Sequence, residues 1–368
     1  MKLKSYSSFS FVLSLALASS FTAEHQELTL ASTPFEQLVQ APSSSPTQGQ
    51  ESSNLLIVKQ NGLYGYIDPT GKLIIEPQFN AASPFSEGFA VIVLNNKFGY
   101  INLWGQIILS PQFDWAYNFS EGRAEVGTDG KSGFIDQQGK IIISPQFEDA
   151  SRFSNGMAAV KINQEWGYID KTGQLVIKAQ FDKASRFSVS DLPKAAAIRD
   201  RLPNDTALAA VMIGSQWGYI DKTGKLVISQ QFDEAGVFSN GLAAVKKGSQ
   251  WGYIDSTGKM IIPPQFDGAL GFNQQLAAVK KGSQWGYIDA SGKMIIPPQF
   301  TDAGNFSNGL AAVGIRGKFG YIDATGTIVI SPQFDGAFEF SNELAAVRIG
   351  DRFGYVNKMG KYVWNPTS

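Results

Sequence analysis

Tryptophan stands at positions 166, 217, 251 and 285, each time followed by glycine and tyrosine. A flat indole at a surface stacks on the apolar face of a pyranose, so Trp166, Trp217, Trp251 and Trp285 form a candidate ladder of equivalent glycan sites. Packed inward, the same side chains would be core residues of similar units, the reading that a strict period favours. A second recurring group is carboxylate: Asp68, Asp136, Asp170, Asp221, Asp255, Asp289 and Asp323 each open an Asp-x-x-Gly sequence. That pattern lacks the closely spaced oxygen ligands of a calcium loop and suits a side chain capping a tight turn. Paired carboxylates can hydrolyse a glycosidic bond, but near-identical copies distinguish no single pair. The chain has no cysteine and one histidine, His25, outside the repeats. Disulfides, thiolate nucleophiles and cysteine-ligated metals are thereby excluded, as are His-based triads and His-rich metal sites in the repeats. No catalytic, cofactor-binding or metal-binding residue is assigned.

The stretch from Trp251 to Phe266 shows what positions these groups. Trp251, Tyr253 and Asp255 alternate with Gly252 and Ile254, the pattern of a pleated strand. Ser256-Thr257-Gly258 reads as a tight turn, with Asp255 accepting backbone N–H groups and Gly258 at positive φ. Met260-Ile261-Ile262 begins a second strand. Pro263 and Pro264 lack amide donors, so they end the ladder or lie on a free edge. Phe266 is expected to be a buried plug.

The aromatic-Gly-aromatic element recurs from Tyr64, Phe98, Trp166, Trp217, Trp251, Trp285, Phe319 and Phe353, with a ninth copy at Ser132-Gly133-Phe134. Successive offsets are 34 residues except one of 51, between Trp166 and Trp217. A fixed period of this length marks a repeat architecture. A helical repeat of similar length is excluded by the glycines in every copy and the prolines in most, which break helices. The expectation is all-β: a tandem array of nine three-stranded antiparallel meanders, each followed by a return segment such as Asp267 to Phe272, anchored by aromatic residues such as Phe272. An open β-solenoid or superhelix is favoured over a closed β-propeller. The period is short for a blade of about 40–45 residues. Nine exceeds the usual blade number of about 4–8, and no strand is exchanged between the ends.

Residues 1–23 read as a secretory signal peptide: Lys2 and Lys4, an apolar run from Phe9 to Ala18, and small residues before cleavage after Ala18, Ser20 or Ala23. The run is short for a membrane span, so no span is expected after cleavage; retention as an anchor is the alternative. Residues 24–54 form a Ser/Pro/Gln-rich linker expected to be disordered, and 55–366 the repeat domain. The long offset places an insertion at about 189–205, where Asp191 can cap a short helix over Lys194 to Arg201. A tolerated surface expansion is its plainer reading; as the one long departure from the period, it adds Lys194, Arg199 and Arg201 as candidate binding residues. Removing the two lysines and four glutamates before Leu55 leaves 29 basic and 28 acidic residues, a balance that points to neither nucleic acid nor an acidic membrane surface.

Trp-Gly-Tyr-Ile-Asp, a glycine turn, then Ile-Ile-Pro-Pro-Gln-Phe-Asp, resembles the bacterial WG-repeat family, over Leu55 to Pro366. Four copies keep the Trp-Gly pair, four keep another aromatic, and Ser132 departs, so the third copy is expected to pack more loosely there. The resemblance implies repeat architecture in bacterial, often exported, proteins, and no agreed activity. The expected function is an exported, secreted or periplasmic, non-catalytic protein presenting a repetitive surface to a protein or cell-envelope glycan. A carboxylate-dependent enzyme acting on envelope polysaccharide is the alternative.

Overall fold

The computed structural model describes residues 54–189 and 207–367. The signal segment, nearly all of the linker, and Asp191, Lys194, Arg199 and Arg201 of the insertion lie outside the described residues.

One copy explains the others. Leu242–Lys247 and Gln250–Asp255 pair antiparallel, Ala244 opposite Tyr253 and Lys246 opposite Trp251. Gly248, at φ +66°, turns the chain between them. The Asp255 carboxylate then accepts the Thr257 N–H at 2.9 Å, the Lys259 N–H at 3.0 Å and the Thr257 hydroxyl at 2.6 Å. Gly258 sits at φ +84°, and Gly224, Gly292 and Gly326 repeat this at +84°, +85° and +88°. Met260–Phe266 follows, pairing with Gln250–Asp255 alone. Its two prolines therefore remove donors from a free edge, where they cost no ladder bond.

The segment after Phe266 departs from expectation. Gly268–Ala269 is itself a strand, pairing Gly268 with Lys280 and Ala269 with Val279 of the next copy. A copy therefore contributes its return segment to the following sheet, and the complete sheets are four-stranded meanders, not three-stranded ones. The first sheet, from Leu56 to Phe79, has three strands among the described residues. The sheet that receives Ala207–Ile213 also takes Ser188–Val189 as an extra short strand. The open solenoid favoured by the sequence is overturned: the sheets are blades of a β-propeller, each a small antiparallel meander. Four strands fit the short period because the first of them is only two residues long.

The described chain forms two compact units. The first runs to Phe119 and includes residues 126–129. It buries Leu55, Tyr66, Ile75 and Phe79 against Ala90, Ile92 and Ile101 of the following sheet. The second comprises 120–125 and 130–367. There Leu242, Ala244, Tyr253, Ile262, Phe266 and Phe272 pack against Ala277, Val279 and Ile288 of the next sheet. Ala243, Val245 and Ile254 point the other way, against Tyr219, Ile228 and Phe232 of the preceding one. This sheet is thus buried on both faces, which is why its Leu-Ala-Ala-Val is a continuous apolar run. The buried Tyr253 hydroxyl donates to the Leu270 carbonyl at 2.8 Å, tying the third strand to the connection that leads into the next sheet.

The turn aspartates carry a pH dependence. Hydrogen bonds from Ser291 and Thr325 hydroxyls, then from local amides, hold Asp289 and Asp323 below the ordinary carboxylate value of 3.8; Asp170 is lowered likewise, by Thr172 first. A carboxylate lowered in the folded state contributes stability above its unfolded value and loses it as pH falls through the folded one. Asn102 and Asn357 do the same capping without charge, accepting two backbone N–H groups each at 3.0–3.1 Å. The triple variant Asp170→Asn/Asp289→Asn/Asp323→Asn should therefore melt within about 0.5 kcal/mol of the parent at neutral pH. It should lose less stability than the parent on acidification below 3.8. Parallel acid-melting curves for the two proteins would remove the capping account.

Candidate binding surface

Trp166, Trp217, Trp251 and Trp285 occupy one register position, at or next to the start of the third strand of successive sheets. All four are half-buried. Each packs one side on the core between its sheet and the next and leaves the remainder at the surface. They are therefore neither fully enclosed core nor free plates. Trp285 lies across its own sheet, with Cη2 3.3 Å from where a Cβ on Gly268 would sit. Lys246 Nζ stands 5.9 Å from the Trp251 ring centroid and also pairs with Glu234 at 2.8 Å. In the first unit Lys59 Nζ lies 5.5 Å over Tyr64 in the same way. The residue before each tryptophan, Glu165, Gln216, Gln250 or Gln284, is exposed. What recurs is a partly exposed indole flanked by an exposed side chain able to hydrogen-bond.

The repeated aspartates are brought to no common site. Asp68, Asp170, Asp221, Asp255, Asp289 and Asp323 each turn one oxygen onto their own loop, accepting two backbone N–H groups and one hydroxyl. Asp136 accepts the two amides alone.

The third copy holds what the sequence reading missed. Ser132, standing where Trp285 stands, is 1% exposed, and its hydroxyl donates to Glu125 at 2.7 Å; Glu125, 4% exposed, replaces the second alanine of Leu-Ala-Ala-Val. The indole has moved rather than vanished. Trp115, at the register of Gly268, covers the backbone of Gly127, which stands where Lys280 does. The signal was present as the change from Leu-Ala-Ala-Val to Arg-Ala-Glu-Val at 123–126, with a tryptophan newly placed at 115.

The four-stranded sheets define a β-propeller with a repeated aromatic row. The family described as "WG containing repeat" matches residues 64–98, 98–131, 133–166, 166–192, 217–251, 251–285, 285–319 and 319–352. The chain belongs to that family. No curated protein sequence matches it. Among solved structures, one titled as a eukaryotic initiation factor is 12% identical, with TM-score 0.61 over 84% of this chain and 95% of that one. The dihydro-heme d1 dehydrogenase NirN in complex with DHE is 14% identical, with TM-score 0.47 over 85% of this chain and 81% of that one. BamB from Moraxella catarrhalis is 14% identical, with TM-score 0.42 over 84% and 92%. At 12% identity, the first of these likenesses is one of fold alone.

Proposed function

We propose that the chain is an exported, non-catalytic binding protein that docks a repetitive partner at the bacterial cell envelope through its tryptophan row, and that the partner is a glycan strand. The observation that carries this reading is the half-buried indole at the same register on four sheets, next to an exposed glutamine or glutamate. Apolar plates with adjacent hydrogen-bonding groups are how a protein surface holds a sugar ring, and repetition multiplies weak contacts into useful avidity. Export is supported by Lys2, Lys4 and the apolar run from Phe9 to Ala18. A non-catalytic role is supported by the repeated carboxylates being engaged by their own turns.

Trp251→Ala/Trp285→Ala tests the surface. Half burial should limit the stability cost of each change to about 2 kcal/mol, below the roughly 3–5 kcal/mol of a fully enclosed tryptophan. Retention on insoluble peptidoglycan or envelope polysaccharide should fall about tenfold or more, and iodide should quench the parent's fluorescence in part. Unchanged retention by a folded double variant would sink the glycan reading. Recovery of full-length protein from the cytosol alone, with no mature chain starting after Ala18, Ser20 or Ala23, would sink export.

A further inference from the structure

Two arginines occupy one register position on adjacent sheets of the second unit. Arg152 follows the short strand Asp149–Ala150 and Ser151; Arg186 follows Lys183–Ala184 and Ser185. Their backbones are pinned in the same way. Ser151 Oγ accepts the Ala159 N–H at 3.0 Å and Ser185 Oγ accepts the Ala210 N–H at 2.9 Å. Phe153 and Phe187, the next residues, are fully buried. Ser154 Oγ and Asn155 Nδ2 donate to the Phe187 carbonyl at 2.7 and 3.1 Å, clamping one connection onto the next.

Side chains at this position reach one another across adjacent sheets. Asn305 and Glu339 hold it on two later sheets, and Asn305 Nδ2 donates to Glu339 Oε1 at 3.1 Å. Arg152 and Arg186 put like charges at this position on adjacent sheets instead. Burial first, then the neighbouring Arg152 charge, hold the Arg186 guanidinium below its ordinary value. Neither guanidinium has a hydrogen bond or ion pair among the described residues. The next two sheets carry Val237 and Gly271 here, so no carboxylate stands beside the pair at this register. On the short strands below, Asp149 caps the Ala150 N–H at 3.0 Å, and Lys183 adds a further positive charge. Glycine and valine at the same position show that packing requires no long side chain. Arg152 is exposed and Arg186 half-buried, so water screens part of their repulsion, and an anion between them would relieve the rest.

We propose that Arg152 and Arg186 form a binding site for one oxyanion, a phosphate or carboxylate group. Paired guanidinium forks match the geometry of such oxygens and hold them through charge-assisted bonds. The site lies at the end of the second strand away from the tryptophans, roughly 15 Å along it from Met157 to Ile162. It stands or falls independently of the glycan reading.

The test uses the full chain with inorganic phosphate and, separately, malonate, followed by calorimetric titration and thermal melting at low ionic strength. One of the two anions should bind the parent and raise its melting temperature, and the tighter of the two identifies the group. Arg152→Gln and Arg186→Gln should each weaken that binding about tenfold or more. Arg186→Lys should fall between them and the parent, keeping the charge without the fork. Without anion, both glutamine variants should melt at or above the parent because the repulsion is gone, which separates lost binding from lost folding. Asn305→Ala should bind as the parent does. The proposal is overturned if neither anion binds the parent beyond the effect of chloride, or if the glutamine variants bind as tightly as the parent.

Discussion

Gly252→Ala should destabilise the protein more than loss of the tryptophan beside it. Between the third and fourth strands, Trp251 pairs with Phe266 and Tyr253 with Ile262, so two steps on one strand face four on the other. Three residues, Pro263 to Gln265, face the single Gly252 and bulge across it. A Cβ there would lie 2.5 Å from the Ile262 carbonyl oxygen, 2.8 Å from the Pro264 nitrogen and 2.9 Å from the Pro263 carbonyl carbon. All three are backbone atoms, so no rotamer change relieves the clash. We expect a loss of about 3 kcal/mol or more, at or above the upper end of ordinary overpacking. Gly248→Ala is the control: its φ is +66°, but nothing lies within 4 Å of a Cβ, so only backbone strain of about 1 kcal/mol is at stake. Urea unfolding of the two variants separates space from conformation. If Gly252→Ala unfolds with the parent or with Gly248→Ala, the bulge does not close over Gly252 as described.

Phe272→Ala carries the second large effect, about 3–5 kcal/mol. Phe272 is 1% exposed, and its ring centroid lies 4.9 Å from that of Tyr253. It belongs to the cluster between two sheets, with Ala277, Val279 and Ile288 on the far side. Those neighbours are small or branched and pinned by their ladders, so they cannot swing into the space a lost ring leaves. The substitution keeps the Phe272 carbonyl, which accepts Ser239 Oγ at 2.6 Å and Asn240 Nδ2 at 2.9 Å. The loss therefore reports packing alone. In a repeat protein it should appear first as faster amide exchange in the two sheets that share the cluster. A loss under about 1 kcal/mol would mean that the cluster collapses around the gap.

These two positions show how legibility divided. Phe272 was readable as an anchor, because a lone aromatic at a fixed place in a polar connection has few other uses. Gly252 was not. Its glycine recurs in all nine copies, even where Ser132 or Phe319 replaces the tryptophan, but a sequence does not say whether glycine supplies φ or space. Among the nine, only the fold shows another strand's backbone passing directly over each, from Gly65 to Gly354. The half-burial of Trp251 was likewise undecidable, since both a core and a ladder satisfy the same period.

By itself the sequence determined the all-β class, the nine copies, the positive-φ turn glycines, the capping aspartates and the family, because each rests on contacts within a few residues or on repetition along the chain. Tertiary structure alone decided the fourth strand, the propeller rather than the open array, the displaced indole at Trp115 and the placing of Arg152 and Arg186 at one position on adjacent sheets. The physical reason is the same for all four. Gly268–Ala269 is too short to show a strand pattern and becomes one only when Lys280 and Val279 of the next copy supply its partners. Which sheet lies against which is set by faces that meet across about one period, and periodicity records that spacing without recording how successive sheets are turned.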